Sequence, residues 1–111
     1  MSLVQRARIE AYVPLKLDPL YEDAVEWLVL DFCYCFGGCT ILNDASGYYL
    51  DLHGRVLPDR VSIVYTDTPL SLPSQRGLVE SYVSGLADFL QSKLIREEAI
   101  LITAHSVLHH E

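Results

Sequence analysis

The segment from Phe36 to Thr66, FGGCTILNDASGYYLDLHGRVLPDRVSIVYT, decides the fold: it reads as two strands joined by a turn. Thr40 to Leu50 is rich in β-branched and aromatic residues, and Asn43-Asp44 and Ser46-Gly47 interrupt it, which predicts a bulge or sharp bend inside the strand. Leu52-His53-Gly54 supplies the turn, and Arg55 to Thr66 forms the next strand, best defined from Val61 to Tyr65. Proline has no N–H to contribute to a sheet ladder, so Pro58 belongs near the start of that strand or on an edge. Just upstream, Gly37-Gly38 supplies the positive-φ residues that stop a preceding helix.

That helix begins at Asp18-Pro19, where the aspartate can cap free backbone N–H groups and the proline presets φ at the first helical position. Val25, Leu28, Val29, Phe32 and Phe36 follow helical spacing and should cover the sheet; Trp27, Leu30 and Tyr34 lie off that stripe. Ahead of the helix, Ala7, Ile9, Ala11 and Val13 alternate with Arg6, Arg8, Glu10 and Tyr12, the period of a half-buried strand from Gln5 to Val13. After the hairpin, a loop from Thr66 to Ser74 offers Ser71 or Ser74 as a cap. Val79, Tyr82, Val83, Leu86, Phe89 and Leu90 then predict a second helix of about five turns. Ala99 to Ala104 is an apolar run of strand length, expected to be buried on both faces or at an interface. The order strand, helix, strand, strand, helix, strand predicts an α+β, ferredoxin-like sandwich, a single domain over 1–111 with both helices on one face of an antiparallel sheet.

Composition narrows the function classes. Fifteen acidic against eight basic residues give a formal charge of −7, which repels phosphate backbones and excludes nucleic acid as the expected partner. Mean hydropathy is +0.21, but no apolar run approaches the ~18 residues of a membrane span, so the excess apolar surface points to contacts between subunits. The N-terminus has no secretory pattern, and the cysteines Cys33, Cys35 and Cys39 are odd in number, so a cytoplasmic protein with reduced thiols is expected.

Each candidate site has a structural counter-reading. Cys33 and Cys35, two apart on a helix, point roughly 200° away from each other and cannot easily share a zinc ion. They and Cys39 are expected to be small core or boundary residues, and the tail from His105 to Glu111, which carries His105, His109 and His110, to extend the last strand or fray into solvent; no metal site and no cofactor are expected. The glycines match no phosphate-binding motif. Only the hairpin gathers acids, a histidine, tyrosines and arginines, so Tyr49, Asp51, His53 and Arg55 are the candidate ligand-binding residues, and no catalytic residue is assigned.

Phe36-Gly-Gly-Cys-Thr40, Gly47-Tyr-Tyr, Gly54 and Tyr65-Thr-Asp67 resemble the Gly-Gly-x-Thr, Gly-x-Tyr/Trp and x-Gly pattern of a small uncharacterised bacterial family, over about half the chain. More distantly, the predicted topology is similar to trimeric PII-type signalling proteins and to dimeric α/β-barrel enzymes, although the short connection between strands two and three departs from the long PII loop. The topology leaves one sheet face uncovered, and with the excess apolar surface this points to a unit that self-associates. The leading expectation is a non-enzymatic cytoplasmic module that forms a homo-oligomer and binds a partner protein or small ligand at the subunit boundary. The rival is a dimeric-barrel enzyme in which His53, Tyr49 and Asp51 or Asp59 line a pocket.

Overall fold

The computed structural model describes residues 2–111 and contains β1 (Leu3–Pro14), α1 (Pro19–Phe36), β2 (Thr40–Leu50), β3 (Val56–Asp67), α2 (Arg76–Lys93) and β4 (Leu101–His110). The strands form one antiparallel sheet in the order β2-β3-β1-β4, the ferredoxin-like βαββαβ arrangement. Alternation in β1 places Ala7, Ile9, Ala11 and Val13 under the helices, each fully buried. The small Ala7 and Ala11 side chains leave room between Ile9 and Val13 for Leu28 and Phe32 of α1 and Val79, Leu86 and Leu90 of α2, and together these form one core.

Local chemistry sets the element ends. The Asp18 carboxylate accepts the Leu20 N–H at 3.0 Å, Pro19 opens α1, and Gly37 closes it at φ 93°, its N–H donating to the Cys33 carbonyl. Gly38 does not share the positive φ, so one glycine suffices to stop the helix. The face α1 buries is rotated from the expected stripe: Tyr21, Ala24, Leu28 and Phe32 are buried, while Val25, Val29 and Phe36 sit at its margin. The rotation comes from α2, which packs on the other flank. Trp27 stacks on Phe89 with centroids 3.9 Å apart, and the Tyr82 hydroxyl donates to Asp31.

The start of α2 differs from expectation. Gln75 rather than Ser71 or Ser74 precedes it, without a side-chain cap, because the Gln75 side chain instead accepts the Ser71 N–H. The connection before it is tied to β1: the buried Thr68 hydroxyl donates to the Ala7 carbonyl and accepts from the Leu70 N–H. Strand β4 is an edge strand, not one buried on both faces. Ile102 and Ala104 turn toward the helices while Leu101 turns away and is 57% exposed. It is also longer than the apolar run, because pairing with β1 continues to Leu3↔His110 and draws the tail histidines into the sheet.

Candidate functional site

The hairpin tip is organised by Asp51. Its Oδ1 accepts the backbone N–H groups of His53 and Arg55, both at 2.8 Å, and its Oδ2 accepts Arg55 Nε at 2.9 Å. The Arg55 N–H holds the carboxyl below the ordinary aspartate range and, despite some desolvation, the His53 N–H and the Arg55 guanidinium add to that. Gly54, at φ 77°, closes the turn. His53 and Arg55 are exposed. In Asp51→Ala the amides of His53 and Arg55 should exchange with solvent markedly faster, while amides of β1 keep their protection; hydrogen exchange read by NMR checks this.

Below the tip the hairpin leaves the sheet. Ladder pairing of β3 with β1 stops at Pro14↔Val61, so Val56 to Asp59 pairs only with β2 and projects as a two-stranded arm. The Arg60 carbonyl accepts from the Leu15 N–H, on the side away from β2; Pro58, of the same parity, puts its missing N–H on that open edge. The expected irregularity in β2 is a bulge: the register shifts between Leu42 and Ala45, Asp44 takes φ 60°, and its carboxylate pairs with Arg60.

The arm bends over the sheet face that the helices leave bare. Register aligns Leu42, Ile63, Tyr12 and Leu101 in one apolar row across the full width of that face. Beside it a groove of about 350 Å3 is lined by Tyr12, Val61, Ile63, Tyr49, Asp59 and Glu97 among others, with no lysine or arginine. Glu97 accepts the Tyr21 hydroxyl at 2.6 Å and Lys16 Nζ at 3.0 Å. Burial pushes its carboxyl up, but these two donors outweigh that and hold it below the ordinary range. Of the predicted site residues Tyr49 lines this groove, with Asp59 from the rival constellation; Asp51, His53 and Arg55 stand outside it. A second depression, about 410 Å3, lies between α2 and β4 and contains none of them.

The opposite end of the bare face is polar. Arg8 grips Asp67 through Nε at 2.6 Å and Nη2 at 2.9 Å and lies over the Tyr65 ring, while His109 Nε2–H donates to Asp67 Oδ2 at 2.6 Å. Arg6 pairs with Glu111, and His105 lies 3.3 Å from Glu10. Arg8 and Asp67 meet because they are register partners, which periodicity within either strand cannot reveal. His105 and His109 thus meet carboxylates of β1 and β3 from a tail that extends the strand, while His110 stays exposed. Cys33 and Cys35 are exposed and only Cys39 is partly buried, a correction to the core reading: they follow the last buried turn of α1. Burial and a hydrogen bond with Cys33 push the Cys39 thiol up. Among the described residues no group of His, Cys, Asp and Glu could hold a metal ion.

No family model and no curated protein matches the chain. Among solved structures it is similar to the divalent cation tolerance protein CutA1 of Thermus thermophilus. Identity is 12%, the match covers 97% of this chain and 88% of that one, and the TM-score is 0.59. CutA1 of Oryza sativa matches at 13% identity over 97% of this chain and 84% of that one, TM-score 0.55. The PII-like protein CPII of Thiomonas intermedia, described as bound to ADP, AMP and bicarbonate, matches at 17% identity over 99% of this chain and 100% of that one, TM-score 0.54. The shared property is the fold. The small bacterial family suggested by the glycine motifs has no counterpart in these matches, whereas the distant likeness to PII-type proteins does. No helix among the described residues is long and apolar enough to cross a membrane.

Proposed function

We propose that the chain is a non-enzymatic, self-associating cytoplasmic module whose bare sheet face is the subunit boundary, with a partner protein or small ligand held where the arm overhangs that face. The observation that carries this is the uncovered row Leu42, Ile63, Tyr12 and Leu101, flanked by the exposed arm tyrosines. Burying it against a second copy would remove a contiguous apolar strip from water. Tyr49 is the predicted site residue assigned to ligand contact; Asp51, His53 and Arg55 shape and present the tip.

The structural neighbours include a nucleotide-bound protein and proteins named for divalent cation tolerance. Asp59 and Glu97 are the charged residues that line this groove, and the nearby Lys16 is already paired with Glu97, so the lining offers a phosphate no free cation and an uncharged or cationic ligand, or a protein segment, fits better than a nucleotide. The enzyme alternative draws on the same groove through Tyr49 and Asp59, but His53 and Asp51 lie outside it and leave that pair without an acid–base partner from the tip.

Sedimentation velocity at micromolar concentrations should give one species at a multiple of 12.5 kDa, and Tyr12→Glu combined with Ile63→Glu should reduce it to the monomer. A wild-type monomer across that range overturns the proposal.

A further inference from the structure

We propose a second interaction surface on the opposite side of the molecule, where the outer groove between α1 and α2 receives a basic amphipathic helix of a partner protein. The groove, about 230 Å3, is lined by Leu20, Asp23, Ala24, Trp27, Phe89 and Lys93, and the Trp27–Phe89 stack lies in it. Along α1 the apolar surface continues past the groove: Leu20 is 48% exposed, Leu30 56% and Tyr34 87%. Residues 20, 27, 30 and 34 recur at helical spacing on one flank of α1, with Asp23 set between Leu20 and Trp27, so an incoming helix would meet an apolar stripe with a carboxylate in it. Packing inside this chain explains Trp27 but leaves Leu30 and Tyr34 without a neighbour that covers them.

Charge selects the occupant. Helix α1 carries no lysine or arginine, and of its carboxylates Asp23 lines the groove and Glu26 is exposed beside the stripe, whereas Asp31 is held by Tyr82 and Glu22 falls on the opposite flank. A second copy of the chain would bring the same carboxylates against them, whereas lysines or arginines beside an apolar stripe would be attracted. Lys93 is the one cation that lines the groove, its Nζ 5.5 Å from the centre of the Phe89 ring, so the partner's basic side chains would lie along α1, beside Asp23 and Glu26, rather than at that end. Because this surface is formed by the helices and the proposed subunit boundary by the bare sheet face, the two can be occupied together and fail independently.

The test is a titration of the intact chain, at whatever subunit number it adopts, with a synthetic amphipathic helical peptide of about five turns, leucine on one face and lysine on the other. Trp27 is the sole tryptophan, so its emission reports from within the groove. A saturable emission change that weakens with salt is expected, with about tenfold weaker binding for Leu30→Ser/Tyr34→Ser and for Asp23→Lys/Glu26→Lys. These positions are exposed, and circular dichroism melts of the variants should match the wild type. No saturable change, equal binding of a scrambled peptide of the same composition, or equal binding of a glutamate-for-lysine peptide would each overturn the proposal. So would a change in sedimenting mass in the Leu30→Ser/Tyr34→Ser variant, which would identify the occupant as a second copy.

Discussion

Phe32→Ala should remove about 3–5 kcal/mol of folding stability, the largest single loss expected in this chain. The ring is completely buried, wedged between α1 and the sheet, and its centroid lies 6.4 Å from those of both Phe36 and Tyr82. Truncation forfeits the transfer free energy of the ring and leaves a cavity that the β1 alanines are too short to fill. A domain of this size has roughly 5–15 kcal/mol to lose, and each kcal/mol lowers the melting midpoint by about 4 °C or more, so the variant should melt at least about 12 °C below the wild type. Tyr34, two residues along the same helix and almost fully exposed, is the control: Tyr34→Ala should change stability by no more than about 0.5 kcal/mol. Urea unfolding of the two variants checks both numbers. Equal effects would mean that the face α1 buries is not the one described.

Asp67→Ala should cost about 2–3 kcal/mol at neutral pH, because it strands the Arg8 guanidinium and removes the acceptor for His109. Three strands meet at this carboxylate, Arg8 from β1, Asp67 from β3 and His109 from β4, so the loss is spread across the sheet. The pH dependence follows from Arg8, whose hydrogen bonds hold the Asp67 carboxyl below its ordinary value of 3.8; burial opposes this, and His109 reinforces it. Between the lowered folded value and the unfolded one, the unfolded chain binds more protons, so stability rises with pH there. The contribution is therefore complete above about pH 5 and is lost as pH falls through the folded value. Stability measured by urea from about pH 7 down to about pH 2.5 should fall more steeply below about pH 4 in the wild type than in Asp67→Ala. Parallel curves would show that Asp67 adds nothing to acid lability.

Much of the architecture is written locally. Asp18-Pro19 and Gly37 bound α1, the alternation from Ala7 to Val13 chooses the buried face of β1, and Asn43-Asp44 marks the bulge, because caps, φ preferences and side-chain alternation act within a few residues. Those signals suffice for element order, and element order nearly suffices for this topology. The rotation of α1 was not legible, since it depends on Trp27 meeting Phe89 across two helices far apart in the chain. The length of β4 stays open in the sequence, between extension and fraying of the tail, because its last residues are ordered by pairing with β1 rather than by their own hydrophobicity.

The candidate site divides along the same line. The sequence alone places Tyr49, Asp51, His53 and Arg55 on a hairpin, because turn residues and β-branched runs are local signals. Only the tertiary structure separates Tyr49, which lines a groove, from Asp51, whose oxygens are taken up by the turn. The apolar row Leu42–Ile63–Tyr12–Leu101 and the Arg8–Asp67–His109 cluster likewise exist only once strands distant in sequence are aligned. The physical reason is that secondary structure follows from short-range sterics and periodicity, whereas a site is a convergence of side chains fixed by strand register and helix packing, which no short window of sequence contains.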